Sequence, residues 1–359
     1  MNALLELKTL GQRIWLDNLS HELLTSGELK TLIERDGIAG VTSNPSIFFK
    51  AMSSSPHYKK ELQRLLPLGL TAEQRLEALM IPDIQAACDL FSPVYDGTRG
   101  VDGYVSLEVS PRLAMDEEAT IKAAGRLARA VARKNLLIKV PATAAGVHAF
   151  ETLTEQGINV NVTLMFSLHQ VWEIFQAYIR GLKKRLKQGG DIAQSKAVAS
   201  LFLSRVDSLV DKKLDALITP EAASLKGKTA VSLAKLAYQR YKDLFHGSYF
   251  AELRERGASP QFLLWASTGT KNPAYSDVLY IESLIGPETI NTVPSATLDA
   301  FRDHGKASLT LEQDITQAET HMVELKRLGL DMHELGENLQ EEGLKAFDEA
   351  YGQLLNLVS

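Results

Sequence analysis

The chain has 359 residues, 45% of them hydrophobic and 23% charged, with a formal net charge of −5. That is the composition of an ordinary globular protein, which excludes disordered and fibrous classes, and the acid excess argues against a nucleic-acid surface as its main business. A single cysteine, Cys88, excludes an intrachain disulfide framework and reads as a small buried residue of a helix in a reducing compartment.

The opening stretch MNALLELKTLGQRIW has no basic region followed by an apolar core, and no apolar run approaches the roughly 20 residues that a membrane span needs. A cytoplasmic protein without a membrane partner is expected. The length allows two domains, but (β/α)8 barrels of this size form a single unit.

After a short leading helix, 13–18 (RIWLDN) reads as a first strand that ends near Asp17. Residues 19–36 read as one helix, capped by Ser20 and stopped by Gly37. The second strand, 38–45 (IAGVTSNP), breaks at Asn44 and Pro45, and a long helical region follows with a loop near Pro67 and Gly69. In that region Asp83 reads as a cap and Asp96 as a solvated turn residue.

The third strand, 103–110, carries Glu108 near its end, and the helix 116–133 has acidic residues first and basic ones last, as the helix dipole favours. The fourth strand, 135–143 (NLLIKVPAT), sets Lys139 inside an apolar run. A helix stopped by Gly157 leads to the fifth strand, 159–167, with Asn161 and Thr163 on one face. The helix 168–187, a sixth strand at 197–206, helices over 207–257, and strands at 261–268 and 289–294 follow. From 309 the chain reads as purely helical.

Eight strands, each followed by helical material, predict an α/β fold, and the count favours a closed (β/α)8 TIM barrel over an open doubly wound sheet. No GxGxxG follows the first strand and no GxxxxGK[ST] occurs, which lowers the nucleotide-binding alternative. The barrel is expected over 1–308, with the additional C-terminal helices, 309–359, packed on it within the same domain.

Catalytic groups of such a barrel come from the C-terminal ends of its strands. Those ends offer Asp17, Thr42, Asn44, Glu108, Lys139, Asn161, Thr163, Ser200, Arg205, Ser267 and Thr292. A strand lysine more often snorkels to solvent. One turned into a packed barrel is paired or shifted toward its neutral, nucleophilic amine, which forms an imine with a ketone or aldehyde.

Two carboxylates supply what imine chemistry further needs. One shuttles the protons of dehydration through water, and the other takes a hydroxyl proton to trigger carbon–carbon cleavage. A metal-dependent aldolase would want histidine ligands, but the eight histidines show no ligand spacing, so neither metal nor cofactor is expected. Arg205 can fork two hydrogen bonds to a phosphate, with Ser200 nearby, and the loop 267–273 (STGTKNP) holds Ser267 and Lys271 as further anion ligands. The other reading of Arg205 is a salt bridge to the following helix.

WLDNLS, GVTSNPSIF, VSLEVSP, LLIKVPAT, NVNVTLMFS and ASLFLSRVD occur in that order, and together they resemble the transaldolase family, in its longer bacterial form with a helical C-terminal extension. The resemblance covers most of the chain. It implies a class I aldolase-type barrel that transfers a dihydroxyacetone unit from sedoheptulose 7-phosphate or fructose 6-phosphate to glyceraldehyde 3-phosphate or erythrose 4-phosphate, in the non-oxidative pentose phosphate pathway.

By the family's motifs Lys139 forms the imine, Glu108 shuttles protons through a water held by Thr163, and Asp17 is the base that starts cleavage. Asn44 and Asn161 would hold hydroxyls of the three-carbon unit, beside Thr42, and Arg205 with Ser200 the phosphate. Shorter members carry an arginine close after the serine of the seventh strand; here Ser267 is followed by TGTKNP, which leaves Lys271 for that duty. Sugar phosphates are the expected partners of a monomer or homodimer. Two rivals stand beside this reading: an aldolase of the same fold that releases free dihydroxyacetone, and a barrel that binds sugar phosphates without catalysis.

Overall fold

Parallel strands covered on both faces must be apolar nearly throughout, and this governs the centre of the molecule. The computed structural model describes residues 2–359. Its strands are β1 (Gln12–Leu16), β2 (Gly40–Val41), β3 (Tyr104–Glu108), β4 (Leu136–Pro141), β5 (Val160–Met165), β6 (Ala197–Phe202), β7 (Phe262–Ala266) and β8 (Thr289–Val293). They pair in parallel, in chain order, and β8 closes onto β1, which makes a (β/α)8 TIM barrel with additional C-terminal helices. Every residue of β4, β5, β6 and β8 is buried.

The second strand is only two residues long, and Gly40 in it has a steric reason. A Cβ there would lie 2.6 Å from the Trp15 ring and 2.7 Å from the Tyr104 carbonyl oxygen. The expected helix 19–36 is two helices, His21–Thr25 and Glu28–Asp36, because Gly27 turns left-handed (φ 79°) between them. Ser20 caps the first and Gly37, also left-handed, stops the second.

Asp83 is not a cap. It is buried inside the helix Ala72–Gly97, where its carboxylate accepts from Tyr58 at 2.6 Å and pairs with His21 at 3.1 Å. Asp96 belongs to the same helix and pairs with Lys134.

Two differences bear on the mouth of the barrel. β6 stops at Phe202, and the Ser204 amide donates to the Ser267 carbonyl, so the chain turns into the helix Ser204–Leu217 and Arg205 lies in its first turn rather than on a strand. The β5–β6 register shifts between Val162 and Met165, where Leu164 takes a left-handed φ of 60°.

Residues 305–314 are irregular rather than helical, and two helices follow, Ile315–Arg327 and Met332–Leu357. The last helix reaches the C-terminal ends of the strands, where the Gln340 amide donates to the carbonyls of Ala142 and Leu164 at 2.8 and 3.0 Å. No helix among the described residues is long and apolar enough to cross a membrane.

Candidate active site

Register puts the central groups side by side. In adjacent strands Glu108 pairs across from Lys139, and Lys139 from Asn161. Lys139, only 5% exposed, donates to the Ser43 carbonyl at 2.9 Å, and its amine lies 3.4 Å from a Glu108 carboxylate oxygen. A cavity of about 290 Å³ opens above it. Of the twelve residues that the sequence singles out, all but Glu108 line that cavity: Asp17, Thr42, Asn44, Lys139, Asn161, Thr163, Ser200, Arg205, Ser267, Lys271 and Thr292. Glu108 stands behind Lys139 instead of on the wall.

The polar side chains are organised by hydrogen bonds. Ser200 donates to Asn161 at 2.6 Å, and the Asn161 amide donates onward to the Ser106 hydroxyl at 3.1 Å, so the carboxamide is fixed in orientation. Thr42 donates to Asp17 at 2.7 Å and lies 2.6 Å from the Thr292 hydroxyl. Thr42 has one proton to give, so Thr292 donates to Thr42 whenever Thr42 donates to Asp17. Asn44 caps the helix Pro45–Ser54 with its carbonyl oxygen, leaving its amide to face the cavity. The Thr163 hydroxyl is buried without a hydrogen-bond partner among protein groups, which leaves it available to reacting molecules, while the buried Glu108 oxygen without a hydrogen bond is the one that faces the Lys139 amine at 3.4 Å.

Burial pushes both carboxyls up. For Asp17, desolvation outweighs the Thr42 hydrogen bond and the charges of Lys139 and Lys271; for Glu108, it outweighs the pull of Lys139. Each is thereby moved toward the range in which a carboxyl group exchanges protons efficiently near neutral pH.

The half-buried Arg205 makes no ion pair with any carboxylate among the described residues, so its charge is not spent on the following helix. Burial lowers its proton affinity, opposed by the charge of Glu342. Its guanidinium lies over the rings of Phe202 (5.7 Å) and Phe347 (6.0 Å). Ser267, at a left-handed φ of 55°, meets the Ser204 hydroxyl at 2.9 Å beside it, and Lys271 approaches from the exposed loop after β7. A buried amine at the floor and a forked cation at the rim suit a molecule with a carbonyl at one end and a phosphate at the other.

No histidine lines the cavity, and the described residues hold no group of three or more His, Cys, Asp or Glu side chains fit to bind a metal ion. Phe202, Phe347 and Gln340 escaped the sequence reading. Phe202 sits at the end of a strand whose polar residues drew attention, while Phe347 and Gln340 come from a helix with no motif.

Fold and cavity together define a (β/α)8-barrel enzyme with its site at the C-terminal ends of the strands. The chain belongs to the transaldolase/fructose-6-phosphate aldolase family, whose sequence model matches residues 14–358. A protein of Thiobacillus denitrificans named transaldolase is 54% identical over 99% of both chains, and one of Neisseria gonorrhoeae with the same name is 49% identical over 99% of both. A Nostoc protein named transaldolase 2 is 44% identical over 99% of this chain and 96% of its own. The molecule is therefore a transferase of the transaldolase type.

Proposed function

We propose that this enzyme moves a dihydroxyacetone unit from sedoheptulose 7-phosphate or fructose 6-phosphate to glyceraldehyde 3-phosphate or erythrose 4-phosphate, through a Schiff base on Lys139, in the non-oxidative pentose phosphate pathway. The observation that carries this reading is the Lys139 amine, buried at the cavity floor 3.4 Å from a Glu108 carboxyl of raised proton affinity.

The amine attacks C2 of the ketose, and the resulting carbinolamine loses its hydroxyl as water when Glu108, acting through a water held by Thr163, supplies a proton. Asp17 then takes the proton of the C4 hydroxyl. The C3–C4 bond breaks, its electron pair passes to the imine, and the shortened aldose phosphate leaves. What remains on Lys139 is an enamine of dihydroxyacetone. Asn44, Asn161 and Thr42 hold its hydroxyls until an acceptor aldehyde arrives, and the same steps run in reverse. Arg205, with Ser200, Ser267 and Lys271, binds the phosphate of donor and acceptor.

One observation supports transfer over release of free dihydroxyacetone: the apolar ring of Phe347 stands 6.0 Å from the lysine amine that bears the enamine. The test supplies sedoheptulose 7-phosphate labelled in carbons 1 to 3 with glyceraldehyde 3-phosphate. The label should appear in fructose 6-phosphate, and a Lys139→Met variant should give none. Label recovered as free dihydroxyacetone, with an acceptor present, would favour the aldolase reading.

A further inference from the structure

The C-terminal helix sends one face into the mouth of the barrel. Gly336, Gln340, Gly343 and Phe347 recur at spacings of three and four, which puts them on a single stripe. A Cβ on Gly336 would lie 2.8 Å from that of Ser167, and one on Gly343 would lie 2.9 Å from Leu164 and 3.3 Å from the Arg205 guanidinium. The helix backbone therefore comes close to the site, held there by the Gln340 hydrogen bonds to the Ala142 and Leu164 carbonyls. One turn beyond Gly343, Phe347 enters the cavity wall, 4% exposed.

Its ring centre lies 6.0 Å from the Lys139 amine and 6.0 Å from the Arg205 guanidinium carbon. The ring is thus equally near the group that holds the carbonyl carbon and the group that holds the phosphate. A donor stretched between those two cations passes its middle carbons along this ring.

We propose that Phe347 is a positioning and specificity-determining residue that acts in two ways: it keeps water from the enamine, and by stacking it aims Arg205 at the phosphate. This rests on the Schiff-base reading above. Water intrudes by a defined step. The enamine carbon C3 takes a proton from an acid, water adds at C2 and returns a proton, and the Lys139 amine leaves, so that enamine and water become free dihydroxyacetone and the regenerated lysine. In this mechanism the site already holds one water, on Thr163; removing the phenyl ring would open, beside the enamine, more than the space of about 10–15 Å³ that admits a further one.

Phe347→Ala and Phe347→Leu separate the two actions. With fructose 6-phosphate as donor and erythrose 4-phosphate as acceptor, we expect Phe347→Ala to raise the ratio of free dihydroxyacetone to transferred product about tenfold or more. It should also raise the donor KM several-fold. Phe347→Leu refills the wall but cannot stack, so its ratio should stay near that of the wild type while KM remains raised; where the alanine variant fails to fold, Phe347→Val takes its place, its ratio expected above that of the leucine variant. A purely structural role would lower activity and thermal midpoint together without moving either ratio or KM.

Borohydride reduction with donor present runs alongside. An adduct on Lys139 in the wild type and in the variants, with the ratio unchanged in the alanine or valine variant and KM unchanged in the leucine variant, would overturn the role of Phe347. Absence of the adduct in the wild type would instead overturn the Schiff-base reading.

Discussion

Asp207 lies two residues beyond Arg205 and fixes the helix that carries it. It is 2% exposed, accepts from the Ala230 amide at 2.8 Å and from the Tyr280 hydroxyl at 2.8 Å, and burial pushes its carboxyl from 3.8 up to about 6. The folded state holds this proton more tightly than the unfolded chain does. Its contribution to stability is therefore complete below the unfolded value and is lost as pH rises from 3.8 to about 6. A shift of about two pKa units at about 1.36 kcal/mol each amounts to a cost of about 3 kcal/mol at neutral pH.

Asp207→Asn keeps both contacts, since its carbonyl oxygen accepts from Ala230 while its amide donates to the Tyr280 oxygen, and it removes the titration. Urea-unfolding midpoints of the two proteins should show the variant gaining about 2–3 kcal/mol on the wild type between pH 4 and pH 7. A stability difference that stays flat across that range would refute the reasoning, for then the carboxyl bears no burial cost.

Three further outcomes are expected. Arg205→Ala should raise the KM for fructose 6-phosphate roughly 10- to 100-fold, the equivalent of about 1.5–3 kcal/mol for a charge-assisted contact, with a smaller change in kcat. Steady-state kinetics checks this, and an unchanged KM would remove the phosphate assignment. Asp17→Asn should lower kcat by about 10²–10⁴ while the imine on Lys139 still forms, as the mass of a borohydride-reduced sample would reveal. Gln340→Ala leaves the Ala142 and Leu164 carbonyls without their donor and should cost about 1–3 kcal/mol in urea unfolding.

How much of this could be read beforehand follows from how local each signal is. A lysine in the middle of LLIKVP, with apolar residues on both sides, marks a buried strand by its neighbours alone, and the same holds for Glu108 in VSLEVS and Asn161 in NVNV. Register then brings them together, because a closed parallel barrel leaves little freedom in which strand lies beside which.

Arg205 was legible as a residue but not in its setting. The run ASLFLSRV carries β propensity past Phe202, whereas the Ser204 amide bonded to Ser267 begins a helix, a contact 63 residues away in sequence. Asp83 follows a proline and looks like a cap, yet Tyr58 and His21 from earlier helices enclose it. Phe347 and Gln340 lie on an amphipathic helix whose pattern states that one face is buried and says nothing of what it is buried against. That docking, and the left-handed turn at Leu164 that receives it, are tertiary facts.

The central claim is that Lys139 carries the three-carbon unit. Borohydride reduction of the enzyme with fructose 6-phosphate present, followed by peptide mass mapping, tests it most directly. The account predicts one adduct of dihydroxyacetone mass, on Lys139, which disappears when the acceptor aldehyde is supplied in excess before reduction. An adduct on another lysine, or none on folded protein, would contradict it.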